Sequence, residues 1–193
     1  MAETPSTMLD LGTTLPAFRL QDLSGKTVTS GDFAGAKGLL VAFWCAHCPY
    51  VRHIRSTFAR LAQDFQQRGG AVVAINANDI EVSPGDGPDG MAEEARELDY
   101  TFPYLFDGTQ AVAKAFRAAC TPDLFLFDGG RRLVYRGQFD GSRPSNTVPV
   151  TGQDLAAALD ALLAGRPLPA EQRPSMGCNI KWRAGSAPDY FGG

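Results

Sequence analysis

The sequence predicts an α/β fold: a central mixed β-sheet flanked by helices, with an N-terminal β-hairpin, a helical insert and an irregular C-terminal tail. Three observations predict it. Short, wholly apolar runs at 39–43 and 71–75 read as strands buried on both faces, as in the middle of a parallel or mixed sheet. Between them Val51, Ile54, Phe58, Leu61 and Phe65 fall on one helical stripe, which sets a β-α-β order. Two further apolar runs, 124–127 and 133–137, are separated by Asp128-Gly129-Gly130-Arg131, a strong hairpin signal.

In chain order, residues 1–16 read as a loose arm. Segments 18–21 and 27–29 alternate about Ser24-Gly25 and suggest a small hairpin. A glycine-rich link, 31–38, leads into the central strand. The helix that follows is expected over 48–68, stopped by Gly69-Gly70. The strand at 71–75 ends in the polar run Asn76-Ala77-Asn78-Asp79. Residues 83–90 read as a loop on composition, 91–98 as a short acidic helix and 102–107 as extended. Thr109 is expected to cap a helix carrying Val112, Ala115 and Phe116. Thr151-Gly152-Gln153-Asp154 reads as a capping box for a helix with Leu155, Leu159, Leu162 and Leu163, closed by Gly165. Residues 1–165 thus form one domain, and 166–193 a Pro- and Gly-rich tail. Ile180, Trp182, Tyr190 and Phe191 make the tail too apolar to stay in solution, so it is expected to fold back and bring Cys178 with it.

Composition excludes several function classes. A chain of 193 residues with 44% hydrophobic content can bury a proper core. The net charge of −3 leaves no basic footprint for nucleic acid. No apolar run approaches the roughly 18 residues that span a bilayer, so no membrane partner is expected. Positions 1–11 carry Glu3 and Asp10 without Lys or Arg, unlike a signal or transit peptide. The expected location is cytoplasmic, where four cysteines suit catalysis better than a disulfide scaffold.

Chemistry concentrates where the central strand meets its helix, at Trp44-Cys45-Ala46-His47-Cys48-Pro49. Free amides and the positive dipole end at a helix N-terminus stabilise a thiolate, and a second cysteine one turn on can close a disulfide. Zinc wants four ligands and there is no second CxxC; haem attachment needs His where Pro49 stands. Dithiol chemistry by Cys45 and Cys48 is therefore expected, with no cofactor or metal. Cys45 is expected to be the more acidic thiol, helped by the first helix amides and by His47. Cys120 and Cys178 read either as small buried hydrophobes or as accessory thiols, Cys178 pairing with Cys120 or with the active pair.

The element order, the CxxC at its strand-to-helix turn and the distant Thr121-Pro122 before a Phe-rich strand together resemble the thioredoxin fold. Within it the chain is similar to the redoxin and peroxiredoxin-like (AhpC/TSA-like) branch and to thiol-disulfide proteins of the TlpA and ResA type. The likeness covers about residues 10–165, and the Gly177 to Trp182 tail resembles that of certain cytosolic thioredoxin-family proteins. It implies that Cys45 is the exposed nucleophile, that Trp44 covers the disulfide, and that Pro122 is the cis-proline facing CxxC. A cis bond there leaves the preceding backbone free to pair with a substrate peptide.

Three departures bear on mechanism. Leu39 stands where thioredoxins carry a buried acid, leaving Asp79, Glu81, Glu93 and Glu94 as candidate proton acceptors. Cys48-Pro49 resembles a peroxidatic Cys-Pro, but Cys45 holds the place of that motif's Thr. Pro122 holds the place of the activating Arg, so only Arg117 or Arg143 could substitute. The expected function is a thiol-disulfide oxidoreductase working through a mixed disulfide on a protein or small-molecule disulfide. A thioredoxin-type or glutathione system would reduce it. The alternatives are a thiol peroxidase with Cys48 peroxidatic and Cys45 resolving, and a metal-binding or redox-sensing module without turnover.

Overall fold

The structure is a computed structural model and describes residues 3–191. Its strands are β1 (Glu3–Pro5), β2 (Arg19–Asp22), β3 (Thr27–Thr29), β4 (Gly38–Phe43), β5 (Ala71–Asn76), β6 (Tyr104–Phe106), β7 (Cys120–Thr121), β8 (Asp123–Asp128), β9 (Leu133–Tyr135) and β10 (Met176–Asn179). The helices are α1 (Pro49–Gln67), α2 (Pro88–Glu97), α3 (Ala111–Ala115) and α4 (Gln153–Leu163). Seven strands make one mixed sheet in the order β3-β2-β6-β5-β4-β8-β9. The central strand β4 is buried at every residue, parallel to β5 and antiparallel to β8, with Val41 opposite Val73 on one side and Phe125 on the other.

Alternation along β4 sorts the core into two halves. Leu40, Ala42 and Trp44 face Val51, Ile54, Phe58 and Phe65 of α1 and Leu155 and Leu159 of α4. Leu39, Val41 and Phe43 face Val112 and Ala113 of α3, Phe116 and Phe125. The α1 stripe differs from the expected one by a single step, since Ala62 is buried where Leu61 was expected and Leu61 sits at the edge.

Both ends of the chain depart from expectation in the same way. The arm is not loose: β1 pairs with β10, and Thr14 bridges Arg132. The tail is not wholly irregular either, because β10 lies between β1 and β7 in a second, three-stranded sheet. Met-Gly-Cys-Asn has no alternating apolar pattern, so its strand exists only through partners far away in sequence. Tail residues Ile180 and Trp182 are buried against the Phe116 side of the core.

Two helix caps also differ. The α3 N-cap is Gln110, in the left-handed region; Thr109 Oγ1 accepts from the Ala111 amide at 3.4 Å and donates to Asp107 Oδ1, while Asp107 Oδ2 accepts from the Ala113 amide at 2.9 Å. The α4 N-cap is Gly152, not Thr151. Asp140 holds the turn into α4, its Oδ2 accepting from the Thr151 and Gly152 amides at 2.8 and 2.6 Å, and Thr151 Oγ1 accepts from the Gln153 amide at 3.3 Å. Among the described residues no helix is long and apolar enough to cross a membrane.

Candidate active site

β4 runs out at Phe43, Trp44 still pairs through its amide with the Ile75 carbonyl, and the chain then turns through Cys45-Ala46-His47 into α1. Cys48 is the N-cap of α1 and Pro49 occupies its first position. Proline there has no amide to leave unpaired, so the first free N–H groups of the helix belong to Tyr50 and Val51. The Val51 amide favours negative charge on the Cys48 sulfur and the Tyr50 amide favours it on the Cys178 sulfur.

The sulfurs meet the β7–Pro122 segment, where the Thr121–Pro122 bond is cis. Cys45 Sγ lies 3.1 Å from Thr121 Oγ1, and Cys48 Sγ lies 3.1 Å from the Thr121 carbonyl oxygen, to which it donates only while it holds its proton. Cys178 is directly opposite Thr121 in the β7/β10 ladder, and side chains of opposed residues share a face. Cys178 therefore points with Thr121 toward the pair, and Cys120, one residue earlier on β7, points to the other face. A Cys120–Cys178 disulfide, one of the two pairings expected for Cys178, is thus ruled out by strand alternation. The backbone before Pro122 is likewise not free for a substrate peptide, since β10 already pairs with it. Gly177 makes that approach close: a Cβ there would sit 2.0 Å from the Thr121 carbonyl oxygen.

Burial and electrostatics do not favour Cys45 over Cys48 in the way the sequence suggested. Cys45 and Cys48 are equally buried, each 2% exposed, so Cys45 is not the more exposed one. Cys48 is drawn well below the ordinary thiol value by the Cys178 and Cys45 S–H groups that donate to it, with Thr121 and the Val51 amide adding to this against the opposing cost of burial. Cys45 is pushed well up by its hydrogen bond to Cys48, by burial and by the Asp86 carboxylate. Cys178 rises for the same first reason, its hydrogen bond to Cys48, followed by burial. The first cause is the neighbouring thiols on either side of Cys48, and the N-terminal amide of Val51 adds the smallest share.

Asp86, unnoticed in the sequence, fixes the turn. Its Oδ1 accepts from the His47 amide at 2.9 Å and lies 3.3 Å from His47 Nδ1. Its Oδ2 accepts from Asn78 Nδ2 at 2.9 Å and Ser83 Oγ at 2.6 Å, while Asn76 donates to its backbone carbonyl. Gly85 lets the His47 ring lie on this loop, as a Cβ there would be 2.6 Å from the ring. The one visible hint was the polar run at 76–79, immediately after a buried strand, facing an acid in a Gly/Pro loop.

Of the four acids proposed to replace the one missing at Leu39, Glu81 and Glu93 are exposed and Asp79 turns back to the Glu81 amide. Glu94 alone is buried beside Trp44, Tyr104 and Tyr100, with Arg55 at 4.0 Å, and burial raises its carboxyl to about 7. Trp44 is a core residue rather than a cover: its ring stacks on Phe58 at 4.4 Å and its Nε1 donates to Tyr100 Oη at 3.2 Å. The two arginines offered for peroxide activation are engaged elsewhere. Arg117 lies over the Tyr190 ring, and Arg143 donates to Gln138, Asp140 and Ser142 beside a small groove lined by Tyr50, His53 and Pro122. Among the described residues, no group of three or more His, Cys, Asp or Glu side chains is arranged to hold a metal ion.

Comparison with known proteins agrees with this architecture. An uncharacterized conserved protein from Geobacillus kaustophilus is 49% identical with a TM-score of 0.93, over 97% of this chain and 99% of that one. The thioredoxin domain of a thiol-disulfide oxidoreductase from Bacteroides vulgatus, at 17% identity, shares the fold, with a TM-score of 0.59 over 78% and 99%. The thiol-disulfide oxidoreductase ResA of Geobacillus thermodenitrificans is 26% identical over 65% of this chain and 67% of its own. The fold is thioredoxin-like and the protein is an oxidoreductase. The AhpC/TSA family model matches residues 11–136, and the chain belongs to that family.

Proposed function

We propose that the protein is a thiol-disulfide oxidoreductase in which Cys45 and Cys48 cycle between dithiol and disulfide through a mixed disulfide. The observation that carries this is the convergence of both sulfurs on Thr121, with Cys48 as the N-cap of α1. The Cys48 thiolate attacks one sulfur of a substrate disulfide, the S–S bond breaks, and one half leaves as a thiolate that takes a proton from solvent. The Cys45 sulfur then attacks Cys48 Sγ, its proton passing to the second leaving thiolate. Two electrons move to the substrate, and the Cys45–Cys48 disulfide awaits an external dithiol of the thioredoxin or glutathione type.

The same thiolate supports a second reading, peroxide reduction at Cys48. The N-cap placement of Cys48 favours it; the absence of any arginine hydrogen-bonded to either sulfur among the described residues disfavours a fast rate. Steady-state turnover of the purified protein with a model disulfide and with hydrogen peroxide, at equal reductant, separates the two. Disulfide turnover is expected to dominate; a peroxide rate well above it, lost in Cys48→Ser, would put the second reading first.

A further inference from the structure

β10 reaches the active pair from the far end of the chain and is held there by many bonds. Ser6 donates to the Ser175 carbonyl, Ile180 to the Ala119 carbonyl, Lys181 to Asn78 Oδ1 and Arg183 to Gln110 Oε1, all between 2.8 and 3.0 Å. That framework sets the Cys178 side chain on the Thr121 face of the ladder, next to Cys48 at the N-terminus of α1. The three thiols Cys45, Cys48 and Cys178 lie in one buried cluster, and Cys48 has each of the other two as a sulfur neighbour. β10 also occupies the Thr121 backbone that would otherwise pair with an extended peptide. Cys178 thus stands to Cys48 as a bound substrate cysteine would.

We propose that Cys178 is a third redox thiol that exchanges with the Cys45–Cys48 disulfide at Cys48 Sγ, moving the bond to Cys48–Cys178 and freeing Cys45. In this step the Cys178 sulfur forms a bond to Cys48, the Cys45–Cys48 bond breaks, and the Cys45 thiolate takes up the proton that Cys178 gives up. No electrons leave the protein and no further oxidant is consumed. The step is chemically open once the pair is oxidised, because Cys48 then carries no negative charge to hold the Cys178 proton. It ties β10 covalently to α1 and presents Cys45 as a free thiol. The proposal rests on the Cys45–Cys48 disulfide of the proposed function.

Lys37 and Arg52 place Cys45 and Cys48 on one tryptic peptide, and Cys178 falls on another ending at Lys181. The two disulfides therefore differ by mass, one internal to a peptide and one joining two. Full-length wild-type protein would be oxidised with excess oxidised glutathione, alkylated at intervals, digested and mapped without reduction. Both disulfides are expected. In Cys45→Ser, the glutathione first captured on Cys48 is expected to be displaced by Cys178, leaving a Cys48–Cys178 bond. This loss should be at least about tenfold faster than in Cys45→Ser/Cys178→Ala, because the attacking thiol is held in place. Wild-type protein with only the internal disulfide and Cys178 fully alkylated at every time, or a Cys48–glutathione adduct equally long-lived in both variants, would overturn the proposal. Failure of the underlying reading looks different: wild type and Cys178→Ala would then both lack the Cys45–Cys48 disulfide.

Discussion

Two regions meet at Cys48, and they differ in how they come to be there. The strand-turn-helix from Gly38 to Gln67 is local: β4, the cysteines and the helix amides are consecutive, and their chemistry follows from spacing. The Asp86 loop and the β10 strand are imported, one from the insert and one from the tail, and each is held by side-chain and backbone bonds rather than by its own propensity. The local region supplies the reacting sulfurs. The imported one decides which sulfur is ionised, since the Cys178 thiol donates to Cys48 and the Asp86 charge acts against a thiolate on Cys45.

Removing the central sulfur should have the largest effect. Cys48→Ser is expected to lower turnover of a model disulfide at least about a hundredfold. Near-normal turnover would show that the two regions do not converge on Cys48.

Gly177→Ala attacks the imported side alone. A Cβ would stand 2.0 Å from the Thr121 carbonyl oxygen and 2.6 Å from its carbon, so the β7/β10 ladder must part. A loss of about 3 kcal/mol in a urea titration is expected. Gly35→Ala, where a Cβ meets nothing within 4 Å, should stay within about 0.5 kcal/mol. Equal effects at the two sites would mean that β10 is not held against Thr121.

Glu94→Gln tests the buried acid through pH. Its carboxyl is raised by burial from 4.5 to about 7, so below pH 4.5 both folded and unfolded chains hold the proton and nothing is lost. Between 4.5 and 7 only the unfolded chain ionises, and stability falls as pH rises. Glu94→Gln should therefore match wild type near pH 4 and be the more stable by about 3 kcal/mol at pH 8. Equal stability at both values would place Glu94 in water. Asp86→Asn, smaller again, should cost about 1–2 kcal/mol through weakened bonds to His47 and Ser83. It should also lower the Cys45 pKa, read from its alkylation rate against pH.

The contrast between regions explains what could be read beforehand. β4, α1, β5, the β8–β9 hairpin and the cysteine pair were legible because apolar periodicity and Cys-x-x-Cys spacing are local signals. The ranking of Cys45 and Cys48 was not, since Pro49 moves the first free amides to Tyr50 and Val51 and the decisive donor sits at position 178. β1 and β10 carry no strand pattern of their own, and Asp86 looked like any acid in a Gly/Pro loop. The turn into α4 was hidden for a similar reason, since Asp140 reaches across from another segment to hold the Thr151 and Gly152 amides.

The central claim is that Cys48 carries the thiolate in the reduced protein. Iodoacetamide labelling of the reduced protein between pH 5 and pH 9, quenched at low conversion and followed by peptide sequencing, reads it directly. Carbamidomethyl is predicted to appear first on Cys48 at every pH, with Cys45 and Cys178 labelled only in alkaline solution. First labelling of Cys45 at neutral pH, with Cys48 untouched, would contradict it.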